Sequence, residues 1–128
     1  MKTKIIREDI IIHEVPLETM SFEEGKLRIC VDDITEKRVT LVFSPIICIK
    51  TILFDQDNSR ELSLIRTCST KGGKYIVEVL DSKWIKKLKA YAEKYDDEIE
   101  DFCYYRHFYL ILGDYAVDII AYSLDVIV

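Results

Sequence analysis

The chain has 128 residues, 49% of them hydrophobic, which suits one folded domain and excludes a disordered chain. A domain of this length can bury enough apolar surface to fold without a disulfide or a metal. Its 23 acidic side chains outnumber its 18 basic ones, and the net charge of −5 argues against a general affinity for nucleic acid or an anionic membrane.

The first two-thirds of the chain alternate β-rich runs with turn residues. Residues 2–15 are rich in isoleucine, and the charged group at 7–9 predicts a break within them. Residues 16–25 read as a connection. Apolar residues at every second position over 26–31 and 38–44 predict a hairpin, and Pro45 is expected to end its second strand. Further strands are predicted over residues 46–54, 61–69 and 75–80.

The periodicity then changes to that of an amphipathic helix over about residues 82–95. Its apolar stripe is predicted to pack on the sheet, with lysines on the opposite face. Asp81 or Ser82 can cap the start of this helix. The stripe consists of Trp84, Ile85, Leu88, Tyr91, Ala92 and Tyr95.

Residues 102–128 form the most apolar run, and Gly113–Asp114 at its middle predicts a two-residue type II′ hairpin. That turn fixes the register. The first face of the hairpin carries the pairs Leu112/Tyr115, Leu110/Val117 and Phe108/Ile119, which read as core. The second face carries the pairs Ile111/Ala116, Tyr109/Asp118, His107/Ile120 and Tyr105/Tyr122. Residues 124–128 read as a strand-like tail.

These elements predict an α+β fold in a single domain, residues 1–128. Short connections imply a mainly antiparallel β-sheet, curved or sandwich-like, with one amphipathic helix before the C-terminal β-hairpin.

The four cysteines, Cys30, Cys48, Cys68 and Cys103, are widely spaced, so no zinc or thioredoxin-type site is predicted. Each lies in an apolar run, and we expect them to be reduced and partly buried. This cysteine usage favours the cytoplasm. No uncharged apolar run approaches the roughly 20 residues of a membrane span. The sequence therefore predicts a cytoplasmic protein that binds no cofactor, metal, nucleic acid or membrane.

The second face of the hairpin is the candidate binding surface, with Tyr105, His107, Tyr109, Asp118 and Tyr122. A Tyr–Asp–His cluster could transfer protons if it lined a pocket, or it could be a polar network that ties the strands together. The network is favoured, because no nucleophile or metal ligand is expected beside His107. No catalytic residue is assigned.

A second candidate surface is acidic. The segment after the helix carries Asp96, Asp97, Glu98, Glu100 and Asp101, which could contact a cationic partner protein. Solubility alone is the alternative explanation of such a cluster. The lysines of the helix do not predict nucleic-acid binding, because the aromatic residues lie on its opposite face.

The C-terminal third carries a recognisable series of short motifs: Ser82–Lys83–Trp84, His107–Phe108–Tyr109, Gly113–Asp114 and residues 117–121, which read VDIIA. In this series the chain resembles small uncharacterised bacterial proteins of the polymorphic-toxin immunity type. The resemblance implies a non-catalytic protein that neutralises a toxin by binding it.

The primary hypothesis is therefore a non-catalytic protein-binding domain of the immunity type. One alternative is a small-molecule-binding or enzymatic domain that uses the His107/Tyr109/Asp118 face. The other is a structural subunit of a homo-oligomer, such as a homodimer, joined through Tyr105 and Tyr122.

Overall fold

A computed structural model describes residues 2–53, 74–95 and 104–128. Within these residues the chain forms seven strands and one helix: β1 (Thr3–Ile5), β2 (Thr19–Glu23), β3 (Lys26–Asp32), β4 (Arg38–Leu53), β5 (Val77–Val79), α1 (Lys83–Tyr95), β6 (Arg106–Leu112) and β7 (Tyr115–Ile127). The strands form one curved open sheet in the order β1-β5-β6-β7-β4-β3-β2, and every neighbouring pair is antiparallel. The predicted α+β fold is confirmed.

The first face of the sheet holds the larger hydrophobic core. The alternating residues of β3 and β4 meet on it as predicted, with Leu27 paired to Phe43 and Ile29 to Leu41. The first face of the β6–β7 hairpin joins the same core, and the rings of Phe43 and Phe108 lie 5.3 Å apart. In β3 only the side chains on this face form an alternating buried set, which explains why the period-2 pattern fixed its register.

The segment between β1 and β2 closes this core. Ile12 is buried and bridges two distant parts of the chain, because its N–H donates to the carbonyl of Lys74 at 2.8 Å and it forms a β-bridge with Asp33. The break predicted near residues 7–9 is confirmed, since β1 ends at Ile5 and the side chains of Arg7 and Asp9 pair with each other.

The prediction that Pro45 ends a strand is wrong. β4 runs through Pro45, which follows a cis peptide bond, and β7 pairs with β4 on both sides of it, at Ser44 and at Ile46. On the other side of β4, the ladder to β3 stops at Phe43. The missing N–H of proline therefore falls where β4 has only one neighbouring strand, and there a proline is tolerated. The strand-like tail predicted over residues 124–128 is not a separate element either, since residues 124–127 are the end of β7.

Residues 16–25 are more than a connection. They contain β2, which pairs with β3 through a turn at Glu24 and Gly25, both with positive φ. All five residues of β2 are exposed, so no buried stripe marked the strand in the sequence. The strand predicted over 61–69 lies outside the described residues.

The predicted helix is confirmed as α1, but its apolar stripe is not fully buried. No residue of α1 is fully buried, and Tyr91 and Tyr95 are 66% and 64% exposed. The helix meets the second face of the sheet through its first turn, where Trp84 contacts His107.

Within the described residues, no helix is long and apolar enough to cross a membrane. Cys30 and Cys48 are free and partly buried, as expected, whereas Cys68 and Cys103 lie outside the described residues.

Candidate functional site

The β6–β7 hairpin has the predicted register. Its ladder pairs Leu112 with Tyr115 and continues without interruption to Arg106 and Ala121. Gly113 has φ +68°, the positive value that the first central residue of a type II′ turn requires, and only glycine adopts it without strain. The turn therefore decides which side chains share the second face.

The second face brings three of the predicted residues together. His107, Tyr109 and Asp118 are 5%, 0% and 4% exposed. Asp118 lies opposite Tyr109 in the ladder, and its Oδ1 is 2.5 Å from Nε2 of His107, its diagonal neighbour. The prediction that these side chains form one patch is confirmed.

The expectation that no nucleophile lies beside His107 is wrong. Ser82 Oγ lies 2.8 Å from His107 Nδ1, and Ser82 is only 6% exposed. Ser82 lies 25 positions before His107, at the start of α1, and no sequence motif links a serine and a histidine at that separation. The only sequence feature that pointed to Ser82 was its position as a possible helix cap.

Ser82 caps α1 and at the same time continues a buried hydrogen-bond chain. Its Oγ accepts the N–H of Ile85 at 3.1 Å. Ser82 Oγ shares a second hydrogen bond with Nδ1 of His107, in which the donor is set by the protonation state of the imidazole, and Nε2–H of His107 donates to the carboxylate of Asp118. The chain Ser82–His107–Asp118, called the relay below, connects the helix to the hairpin and satisfies three buried polar side chains.

The relay is covered by the first turn of the helix. The ring of Trp84 meets the imidazole of His107 edge-on, with 5.5 Å between centroids. Lys50 lies opposite Asp118 in the β4–β7 ladder, and its Nζ is 5.8 Å from the centre of the Trp84 ring. The relay has the residue types of a serine hydrolase, but its serine faces a packed interior.

The other two predicted binding residues, Tyr105 and Tyr122, lie together beside the relay. Their ring centroids are 4.7 Å apart, and Tyr104 meets Tyr122 edge-on at 6.3 Å. Tyr105 is buried, whereas Tyr104 is 63% exposed. These three residues are called the tyrosine cluster. Sequence reasoning gave no role to Tyr104, although it directly precedes a predicted site residue.

The predicted acidic surface, Asp96, Asp97, Glu98, Glu100 and Asp101, lies outside the described residues. Among the residues that are described, no three His, Cys, Asp or Glu side chains come together as a metal site requires.

A groove lies away from the relay, around the other histidine. The guanidinium of Arg38 donates to the carbonyl of Leu17 and to Oδ1 of Asp32, both at 2.9 Å. His13 Nδ1 accepts the N–H of Val15 at 2.9 Å. These polar groups hold the groove wall together. The groove is lined by His13, Val15, Leu17, Asp32, Glu36 and Arg38.

Comparison of the chain with protein-family models, with curated proteins and with solved structures found no match.

Proposed function

We propose that this chain is a non-catalytic protein-binding domain and that the tyrosine cluster is its contact surface. The observation that carries the proposal is the ring of Tyr104, 63% exposed yet supported by Tyr122, which in turn packs on buried Tyr105. An exposed aromatic ring held by neighbours offers contact area with little conformational entropy to lose.

The charge of the chain favours a cationic partner. The net charge is −5, and the acidic segment at residues 96–101 is separated from Tyr104 by only two residues in the sequence. Opposite charge accelerates encounter and selects against acidic competitors. An immunity role, in which the chain neutralises a basic toxin by binding it, combines these features with the resemblance of the C-terminal third.

The burial of the relay supports a binding function over a catalytic one. A nucleophile must reach its substrate, and each of Ser82, His107 and Asp118 is less than a tenth exposed. The Oγ of Ser82 is also engaged in capping α1. The relay is therefore better placed to stabilise the adjacent binding surface than to react with a substrate.

The experiment begins with a photo-crosslinking amino acid at Tyr104, introduced in the organism of origin, and with the same group at Ile34 as the control position. Ile34 is 55% exposed and lies in the connection between β3 and β4, outside the tyrosine cluster. The protein captured from Tyr104 is then purified and titrated with both alanine variants. Tyr104→Ala is expected to weaken binding about tenfold or more, equivalent to about 1.4 kcal/mol. Equal affinities for Tyr104→Ala and Ile34→Ala would contradict the proposal.

A second candidate function is serine-type hydrolysis, favoured by the contact of Ser82 with His107 and of His107 with Asp118. It requires α1 to move and expose Ser82. A panel of activated esters and peptide amides tests it, with Ser82→Asn as the variant that keeps a helix cap without a hydroxyl. Turnover that this variant loses would favour hydrolysis.

The homo-oligomer through Tyr105 and Tyr122 is less favoured, because Tyr105 is only 8% exposed within one chain and has little surface left to contact another.

A further inference from the structure

We propose that β2 pairs edge to edge with β2 of a second copy of this chain, so that two sheets join into an antiparallel dimer. This surface is separate from the tyrosine cluster, since β4 and β3 stand between β7 and β2 in the sheet. It does not depend on the proposed function.

The first argument is that β2 is an unprotected edge. Among the described strands, β2 has β3 on one side and no strand on the other. Edge strands usually carry a lysine, a proline or a bulge, or are very short, which prevents pairing with other chains. β2 forms five regular pairs with β3, contains no lysine or proline, and carries its one charged side chain, Glu23, at its last position.

The opposite edge of the sheet shows the usual protection. β1 has only three residues, with Lys4 at its centre, and the chain turns at residues 7–9 directly after it. The two edges of one sheet therefore differ in the features that prevent association.

The second argument is the apolar surface at the β2 edge. Phe22 is 62% and Met20 is 37% exposed, and both lie on the first face, opposite the buried residues Leu27 and Ile29. Among the described residues, the core face thus continues outward by one strand that no other strand or helix covers. Exposed apolar side chains beside an open edge are typical of an interaction site.

The third argument is that β2 is complementary to itself. An antiparallel pair centred on Ser21 places Met20 of each copy opposite Phe22 of the other, on the same face, and Thr19 opposite Glu23. No two like charges then face each other. A shift of two residues, with Phe22 opposite Phe22, leaves Thr19 and Met20 without a strand partner. This self-complementarity favours a second copy of the chain as the occupant.

The dimer is expected to be weak. A five-residue edge with two large apolar side chains falls in the class of interfaces that bury less than about 1,200 Å², which are typical of transient association. We therefore expect a concentration-dependent equilibrium between one and two chains.

Sedimentation velocity on the full chain over a concentration series tests the proposal. The wild type is expected to shift from the monomer mass towards twice that mass. Ser21→Lys places two lysines opposite each other, and because Ser21 is exposed, the variant is expected to keep its fold and remain monomeric. Thr51→Lys, at an exposed position of β4 beyond its ladder with β3, adds the same charge away from β2 and is expected to dimerise as the wild type does.

A crosslink tests the register. Under mild oxidation, Ser21→Cys is expected to form a covalent dimer, because the two Ser21 residues face each other at the centre of the interface. Thr51→Cys and the wild type, which has the partly exposed Cys30 and Cys48, are expected to crosslink far less. A wild type that stays monomeric at every concentration would overturn the proposal, and so would equal crosslinking of the two cysteine variants. Tyr104→Ala is expected to leave the dimer intact, which separates this result from the proposed function.

Discussion

At the scale of single residues, His107 depends on two partners that lie in other parts of the sequence. Its two ring nitrogens contact Ser82 and Asp118, which belong to different elements, and all three side chains are buried. Removal of one partner leaves a buried polar group unsatisfied, and this generally costs more than a lost hydrogen bond between exposed groups.

Asp118→Ala is expected to lower the free energy of unfolding by about 1–3 kcal/mol, because Nε2–H of His107 loses its acceptor. Asp118→Asn is expected to cost less, since an amide oxygen can still accept that bond. Asp125→Ala removes an exposed acid from the same strand and serves as the control. Urea unfolding measures all three variants, and similar losses for Asp118→Ala and Asp125→Ala would mean that the relay does not stabilise the fold.

The two described cysteines are expected to differ in reactivity. The hydrogen bond of Cys30 with Thr40, at 3.4 Å, lowers the pKa of the Cys30 thiol, whereas burial raises the pKa of the Cys48 thiol. Near neutral pH a larger fraction of Cys30 is therefore thiolate, the form that reacts with iodoacetamide. Peptide mass spectrometry is expected to find faster alkylation at Cys30 than at Cys48. Thr40→Val is expected to reduce this difference in rate. Faster alkylation of Cys48 would show that Thr40 does not control the reactivity of Cys30.

At the scale of elements, α1 is held mainly by its first turn. Its cap, Ser82, bonds to His107, and Trp84 covers the same imidazole, while Tyr91 and Tyr95 remain largely exposed. The stability of the helix is therefore expected to depend more on its start than on the apolar stripe further along.

Leu88→Ala tests this distribution. Leu88 is only half-buried, so the substitution is expected to cost less than about 2 kcal/mol, below the range of about 2–5 kcal/mol for a fully buried leucine. Leu41, 0% exposed in β4, is the control and is expected to fall within that range as Leu41→Ala. Equal losses in guanidinium unfolding would show that the distal part of α1 is core.

Local patterns predicted the elements whose signals lie within a few residues. Gly113–Asp114 and the alternation around it were sufficient for the register of the last hairpin, because the turn and the buried face select the same pairing. The break at Arg7–Asp9 and the helix could also be predicted, because the signals for both lie within a few neighbouring residues.

What could not be predicted depends on neighbours distant in sequence. Whether Pro45 interrupts β4 depends on which strands flank it at that point, and the exposed strand β2 has no buried stripe to detect. Ser82 was recognisable as a helix cap, but its contact with His107 requires knowing where α1 lies on the sheet. The candidate site was thus predicted on the hairpin side and missed on the helix side.

At the scale of the whole molecule, exposed apolar groups mark two separate parts of the surface. The tyrosine cluster lies beside β6 and β7, and the β2 edge with Met20 and Phe22 lies at the end of the strand order. Between them the sheet buries its two clusters of apolar side chains, one on each face. A chain arranged in this way could bind a cationic partner at one surface and a second copy at the other.

The central claim is that Ser82, His107 and Asp118 support the fold and the adjacent binding surface and do not react. The most direct measurement is the intact mass of the native protein after incubation with a fluorophosphonate, which modifies activated serine hydroxyls. We predict no adduct at Ser82, because its oxygen caps α1 and lies in a packed interior. A stoichiometric adduct that maps to Ser82 and is absent in Ser82→Asn would contradict this claim and favour hydrolysis.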